Sequence, residues 1–234
     1  MELVHPNSLS ETVNAVSHAF AHGPEPSAGE RVATARWIAA RQGLPGAYAG
    51  TFALLPEEQR DGIRLYTGER TQSAAARHIA GEEACRALRL LDVDDPDVVD
   101  ALAAASRRLA DAVGPVRPPT GDDRRFDHHL GGTFCCGRCS VGLWRHITAG
   151  GFDEPERRLA VGLDYLATQR SDDHGWGAFP FWYTVSALVE MPAELARPAL
   201  RHASPQLERA AKRTPRDDVY GRRRWALARV AVGG

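Results

Sequence analysis

Apolar residues recur along most of this chain at the three- and four-residue spacing of amphipathic helices, with Gly, Pro and Asp breaks between the stretches. The spacing predicts helices over 8–21, 30–42, 71–91, 97–113, 135–149 and 156–170. In the second of these, Val32, Ala35, Ile38 and Ala39 make a single apolar stripe. Shorter helices are expected after Pro56 within 54–66 and near 183–191, with two or three basic helices completing the chain. Pro96 and Pro155 occupy the favoured first helical position. Two loops, 43–52 and 171–180, are too rich in Gly and aromatic residues to be mere spacers. The Pro/Gly/Asp segment 114–130 reads as a linker or mobile loop inside one domain spanning 1–234.

The helical pattern contains an internal repeat. Arg31 to Gln42 (RVATARWIAARQ) lies over Arg158 to Gln169 (RLAVGLDYLATQ), and each copy is followed by a Gly/aromatic loop ending in Phe. Asp95-Pro96 and its helix correspond in the same way to Glu154-Pro155 and its helix. Helical-hairpin arrays have this organisation, although Ala-rich amphipathic helices also match one another by chance.

Within that repeat, 136–191 has a recognisable order. A helix opens on small residues and Cys, an acidic residue and Pro start the next helix, and that helix ends Leu166-Ala-Thr-Gln169. Asp172-Asp-His-Gly-Trp-Gly-Ala-Phe-Pro-Phe181 follows, and then Thr184-Val-Ser-Ala-Leu188. This order resembles the α/α-toroid repeats of squalene cyclases, terpene cyclases and protein prenyltransferase β-subunits. The resemblance implies an all-α fold of helical hairpins, with Gln169 capping a neighbouring helix and Trp176 stacking on it. At about 60 residues per hairpin and loop, 234 residues hold too few hairpins for a six-hairpin ring. The expectation is therefore an incomplete or abbreviated toroid, with a homodimer as one means of closing it. The family's chemistry implies a small biosynthetic enzyme acting on a hydrophobic or prenyl-like small molecule in an aromatic-lined cavity.

Composition supports helix over sheet. Alanine is abundant, while isoleucine occurs only at Ile38, Ile63, Ile79 and Ile147. Lys+Arg 29 against Asp+Glu 30 leaves a net charge of -1, so no global field draws the chain to nucleic acid or anionic lipid. No apolar run reaches the length of a membrane span, and the first residues lack a signal peptide's apolar core. A cytoplasmic globular protein is the expectation.

The densest chemical signal is Cys135-Cys136-Gly137-Arg138-Cys139, which holds three of the four cysteines just after Asp127-His128-His129. A helix beginning near Phe134 would put Cys135 and Cys139 one turn apart on one face. Unpaired N–H groups at a helix start favour thiolates. Cys135 and Cys136 are thus candidate catalytic thiols, and Cys135, Cys139, His128 and His129 a candidate zinc set. The alternative is that small cysteines simply let helices pack closely. In the toroid families zinc-binding Cys and His lie at the corresponding end, but neither the Asp-x-Cys of prenyltransferases nor the Cys-His-Gly of lanthipeptide cyclases stands here.

Three further clusters complete the inventory. His78 and Glu82, four apart on one helix, form a candidate proton-transfer pair if they face a cavity, or part of an exposed salt-bridged face. Asp173 is a candidate carboxylate in the aromatic loop. Around it Trp176, Phe179, Trp182 and Tyr183 either wall a pocket for a small apolar molecule or pack hairpins together. Asp92-Val93-Asp94-Asp95 spells the acid motif of class II terpene cyclases, but before Pro96 it reads better as helix-capping carboxylates. A non-catalytic scaffold using a concave helical surface is the alternative function. Nucleic-acid binding through the Arg-rich stretch 197–229 ranks third, since the acidic segment 92–123 could neutralise it.

Overall fold

The structure is a computed structural model that describes residues 3–117 and 131–233. The protein is all-α: ten α-helices, one 3-10 turn and a single two-stranded hairpin are found among the described residues. The helices are α1 (Leu9–His22), α2 (Ala28–Ala39), α3 (Pro56–Asp61), α4 (Ser73–Leu91), α5 (Pro96–Val113), α6 (Gly137–Thr148), α7 (Pro155–Thr168), α8 (Phe181–Leu188), α9 (Ala193–Ala211) and α10 (Val219–Gly233). The hairpin strands are β1 (Ile63–Arg64) and β2 (Arg70–Thr71), antiparallel, with Ile63 opposite Thr71. None of these helices is long and apolar enough to cross a membrane. Most of the segment expected to be a mobile loop, 118–130, lies outside the described residues, and with it Asp127, His128 and His129.

The chain forms two compact units. The first comprises residues 1–65, 70–114 and 149–153; the second comprises 66–69, 115–148 and 154–234.

In the first unit α4 is the central helix, with α1, α2 and α5 packed on it. Its starts are fixed by polar side chains. Ser8 caps α1 by accepting the Glu11 N–H at 3.0 Å. The buried Glu58 carboxylate accepts the Leu9 and Ser10 N–H groups at 3.0 and 2.8 Å, so α3 holds the start of α1. Ser27 and Glu30 make a reciprocal capping box on α2. Asp95 caps α5, accepting the Asp97 and Val98 N–H groups at 3.1 and 3.3 Å, and Arg36 pairs with it at 2.6 Å. Its geometry is therefore that of a helix cap. The helix expected within 54–66 stops at Asp61, because Gly62 turns the chain at φ 81 and the hairpin begins.

In the second unit α6 packs on α7 and α8, α7 packs on α9, and α9 packs along α10. The core is aromatic and carries buried cations. Trp144 stacks on Phe179 with ring centroids 5.5 Å apart, and its indole N–H donates to the Gly132 carbonyl at 2.7 Å. Arg145, 1% exposed, reaches Glu190 at 3.0 Å and lies over the rings of Tyr66 and Tyr183. Arg223 lies over Tyr66 at 4.5 Å and donates to the Tyr66 carbonyl at 3.0 Å. These arginines neutralise a Glu, satisfy loop carbonyls and use aromatic faces as partners.

Candidate thiol site

The cysteine cluster is shaped by the way α6 starts. Cys135 has φ 49, in the left-handed region, and the Cys136 N–H closes a tight turn onto the Phe134 carbonyl at 2.5 Å. The first helical bond runs from the Ser140 N–H to the Cys136 carbonyl at 2.9 Å, which makes Cys136 the N-cap residue. The Ser140 hydroxyl ties the turn down: it accepts the Phe134 N–H at 2.9 Å and lies 3.0 Å from the Cys136 carbonyl oxygen. The helix thus begins at Gly137, later than Phe134 as expected from the sequence. Cys135 is outside the helix, so the shared helical face drawn for Cys135 and Cys139 does not exist.

Cys136 is the residue that faces Cys139. Their sulfurs lie 3.5 Å apart, as free thiols within S–H···S hydrogen-bond distance. The Cys135 sulfur also lies within 4.8 Å of the Cys139 sulfur, so three sulfurs gather at the start of one helix. Cys139 is buried, and Cys135 and Cys136 are half-buried.

The Cys136 thiol is pulled down to about 5. The largest cause is the hydrogen bond from the Cys139 S–H; burial opposes it, and the N–H groups of Cys139 and Arg138 and the Arg138 charge add to it. Cys85, wholly buried in the middle of α4, goes the other way: burial pushes its thiol up to about 12.

Gly137 sets what lies against this site. A Cβ there would stand 2.5 Å from the Ala178 carbonyl oxygen and 3.1 Å from the Phe179 Cα. Only glycine permits this approach, which lays the aromatic loop 171–180 on the first turn of α6. Two of the clusters seen in the sequence, the cysteines and the aromatic loop, are therefore neighbours.

The other candidates are placed as follows. Trp176, Phe179 and Tyr183 are buried, Trp176 stacking on Phe181 at 5.7 Å, whereas Trp182 is half-buried. Asp173 is exposed and folded onto its own loop, accepting from Ser171 Oγ at 2.5 Å and the Gly175 N–H at 3.0 Å, and these bonds hold its carboxyl below the ordinary range. Gln169 donates to Thr168 Oγ1 at 3.1 Å, at the end of its own helix. In the first unit His78 and Glu82 are buried on α4 and not part of an exposed face, and the His78 ring lies 3.9 Å from that of Tyr48.

Sequence reasoning missed the Cys136–Cys139 pair, although its signal was the C-x-x-C spacing itself. It also missed Ser140, which no pattern marks.

Comparison with protein-family models, with curated proteins and with solved structures finds no match for this chain.

Proposed function

We propose that the protein is a thiol–disulfide enzyme in which Cys136 is the nucleophile and Cys139 the resolving thiol. The 3.5 Å approach of their two sulfurs at the first turn of α6 carries this reading. In the forward step the Cys136 thiolate attacks one sulfur of a substrate disulfide. That S–S bond breaks, a Cys136 mixed disulfide forms, and the departing thiolate takes a proton from water. The Cys139 thiol then loses its proton and attacks Cys136 Sγ, and the second substrate thiol leaves. The substrate gains two electrons and the protein holds a Cys136–Cys139 disulfide.

The aromatic loop against Gly137 supports an apolar substrate, in keeping with the sequence resemblance to toroid cyclases and prenyltransferases. A reducing cytoplasm would return the pair to thiols. That lineage, an abbreviated hairpin ring, and the role of His78 with Glu82 as a proton pair are part of the proposal.

The third sulfur favours one other reading, a zinc-thiolate site. Zn–S bonds of ~2.3 Å in a tetrahedron set sulfurs ~3.8 Å apart, and the Cys135 and Cys139 sulfurs lie within 4.8 Å of one another. Those two thiolates would be ligands of the ion, which would supply Lewis acidity when bound.

The test is a trapping experiment with a small aromatic disulfide. The wild-type protein should release both aromatic thiols and become about 2 Da lighter. Cys139→Ala should stop at a mixed disulfide on Cys136, located by peptide mass spectrometry. A Cys139→Ala protein that carries no adduct at Cys136 defeats the proposal. One zinc per chain in the purified protein, with thiols unreactive until chelation, would favour the metal reading instead.

A further inference from the structure

The second unit carries another site, unrelated to the thiols. A cavity of about 450 Å³ opens where α9, the 212–218 connection and α10 meet the side of α8. Four arginines line it: Arg209, Arg213, Arg216 and Arg224. Its aromatic lining is Trp182, Tyr220 and Trp225.

The positive charge here is only partly offset: Arg216 and Arg224 help hold the Asp218 carboxyl below its ordinary range, after its bond to the Gly221 N–H, and Arg209 and Arg213 have no such partner in the lining. Asp218 is the one carboxylate in the lining, and it caps α10 by accepting the Gly221 N–H at 2.7 Å. Asp217 is paired with Arg222 at 2.8 Å, outside the cavity. Arg224 uses its Nε–H on the Thr67 carbonyl at 2.7 Å, which fixes the stem and leaves its remaining N–H groups. Arg209, Arg213 and Arg216 are exposed and make no ion pair among the described residues. Arg209 and Arg213 sit at the C-terminal end of α9, where cations suit the helix dipole. That explains two cations but not the convergence of four on a concavity with two indoles.

We propose that this cavity binds a nucleotide-class ligand, a polyphosphate carrying a planar base. Guanidinium groups match phosphate oxygens in planar, paired hydrogen bonds. Half-buried Trp182 gives a planar ring a stacking surface, and Trp225, over which Arg229 lies at 4.9 Å, adds aromatic wall beside it. A volume of about 450 Å³ falls in the range of small-molecule pockets and accommodates a mononucleotide. A long polyanion would need a charged track, whereas these arginines surround one concavity.

Calorimetric titration of the full chain with ADP, adenosine, inorganic pyrophosphate and a single-stranded oligonucleotide tests this. ADP should bind at least tenfold more tightly than adenosine or pyrophosphate, with quenching of tryptophan fluorescence. Arg213→Gln with Arg216→Gln should weaken ADP by at least tenfold while the far-UV circular dichroism and Tm stay unchanged, both side chains being exposed. Three results would overturn the proposal: no ADP binding at millimolar concentration, equal binding by the double variant, or binding of the oligonucleotide alone with a steep salt dependence.

Discussion

The pH profile of Cys136 alkylation tests the thiol geometry most directly. At pH 6 a thiol titrating at about 5 is ~90% thiolate, while one at the ordinary 9.0 is ~0.1% ionised. That ratio of roughly 900 is offset by lower nucleophilicity: a Brønsted slope of 0.4–0.5 over about four units costs roughly 40- to 100-fold. Cys136 should therefore react with iodoacetamide roughly 10- to 20-fold faster than an unperturbed thiol at pH 6, and more slowly than one at pH 8. Its rate should be flat from pH 6 to 9 with an inflection near 5, whereas an ordinary thiol climbs about tenfold per unit. Quench-flow labelling with peptide mass spectrometry reads Cys136 separately from Cys135, Cys139 and the inert Cys85. Cys139→Ala removes the largest cause of the shift, the S–H donor. Since that donor is the largest of four causes that together lower the thiol from 9.0 to about 5 against burial, its loss should raise the inflection by more than about one unit, the Arg138 and Cys139 N–H groups still acting. A rate that rises steadily from pH 6 to 9 in the native protein would refute the reasoning. An inflection unmoved in Cys139→Ala would show that Cys139 is not its main cause.

Two substitutions test how the surrounding structure is held. Gly137→Ala places a methyl 2.5 Å from the Ala178 carbonyl oxygen, and overpacking of this kind costs about 1–3 kcal/mol. Urea unfolding should show that loss, with a changed Cys136 alkylation rate, and an unchanged midpoint would mean the loop is not seated on α6. Asp95→Ala removes the α5 cap and the Arg36 partner and should lower Tm, whereas the exposed Asp94→Ala should leave it in place. Arg36 holds the Asp95 carboxyl below its ordinary range, so its contribution is present above the unfolded-state value and is lost as pH falls through the depressed one. The Tm difference between wild type and Asp95→Ala should accordingly vanish in acid below the usual Asp range, and a difference that grows on acidification would contradict the cap.

Much of the helical frame was legible because its determinants are local. Pro96 and Pro155 start α5 and α7 where their rings suit the first turn, and the 3.6-residue stripe locates α4 to within two residues at its start. What escaped notice depends on single backbone angles or on partners far along the chain. The chain leaves α3 at Gly62 and pairs Ile63 with Thr71, and strands of two residues carry no alternation to detect. Glu58 caps a helix some fifty residues earlier, and nothing in its neighbourhood announces it. In the thiol site the error was one of phase. Starting the helix at Phe134 puts Cys135 and Cys139 on one helical face; the left-handed Cys135 delays the start, so Cys135 approaches Cys139 from outside the helix and Cys136 faces Cys139 as well.

That phase matters chemically, as a comparison between two cysteines shows. Cys85 and Cys136 are the same side chain, each belonging to a helix of the same protein, yet one thiol titrates near 12 and the other near 5. Cys85 lies mid-helix, where every nearby N–H is already donated to a carbonyl one turn back, and burial acts on its thiolate with little to oppose it. Cys136 sits one residue before the first turn, where two N–H groups and a neighbouring S–H remain to solvate a thiolate. The difference in chemistry thus comes from where a helix begins. It follows that Ser140, which holds the Phe134–Cys136 turn with its hydroxyl, governs Cys136 without touching its sulfur. Loosening that turn would let α6 start one residue earlier or later, and the thiolate would lose the N–H groups that stabilise it.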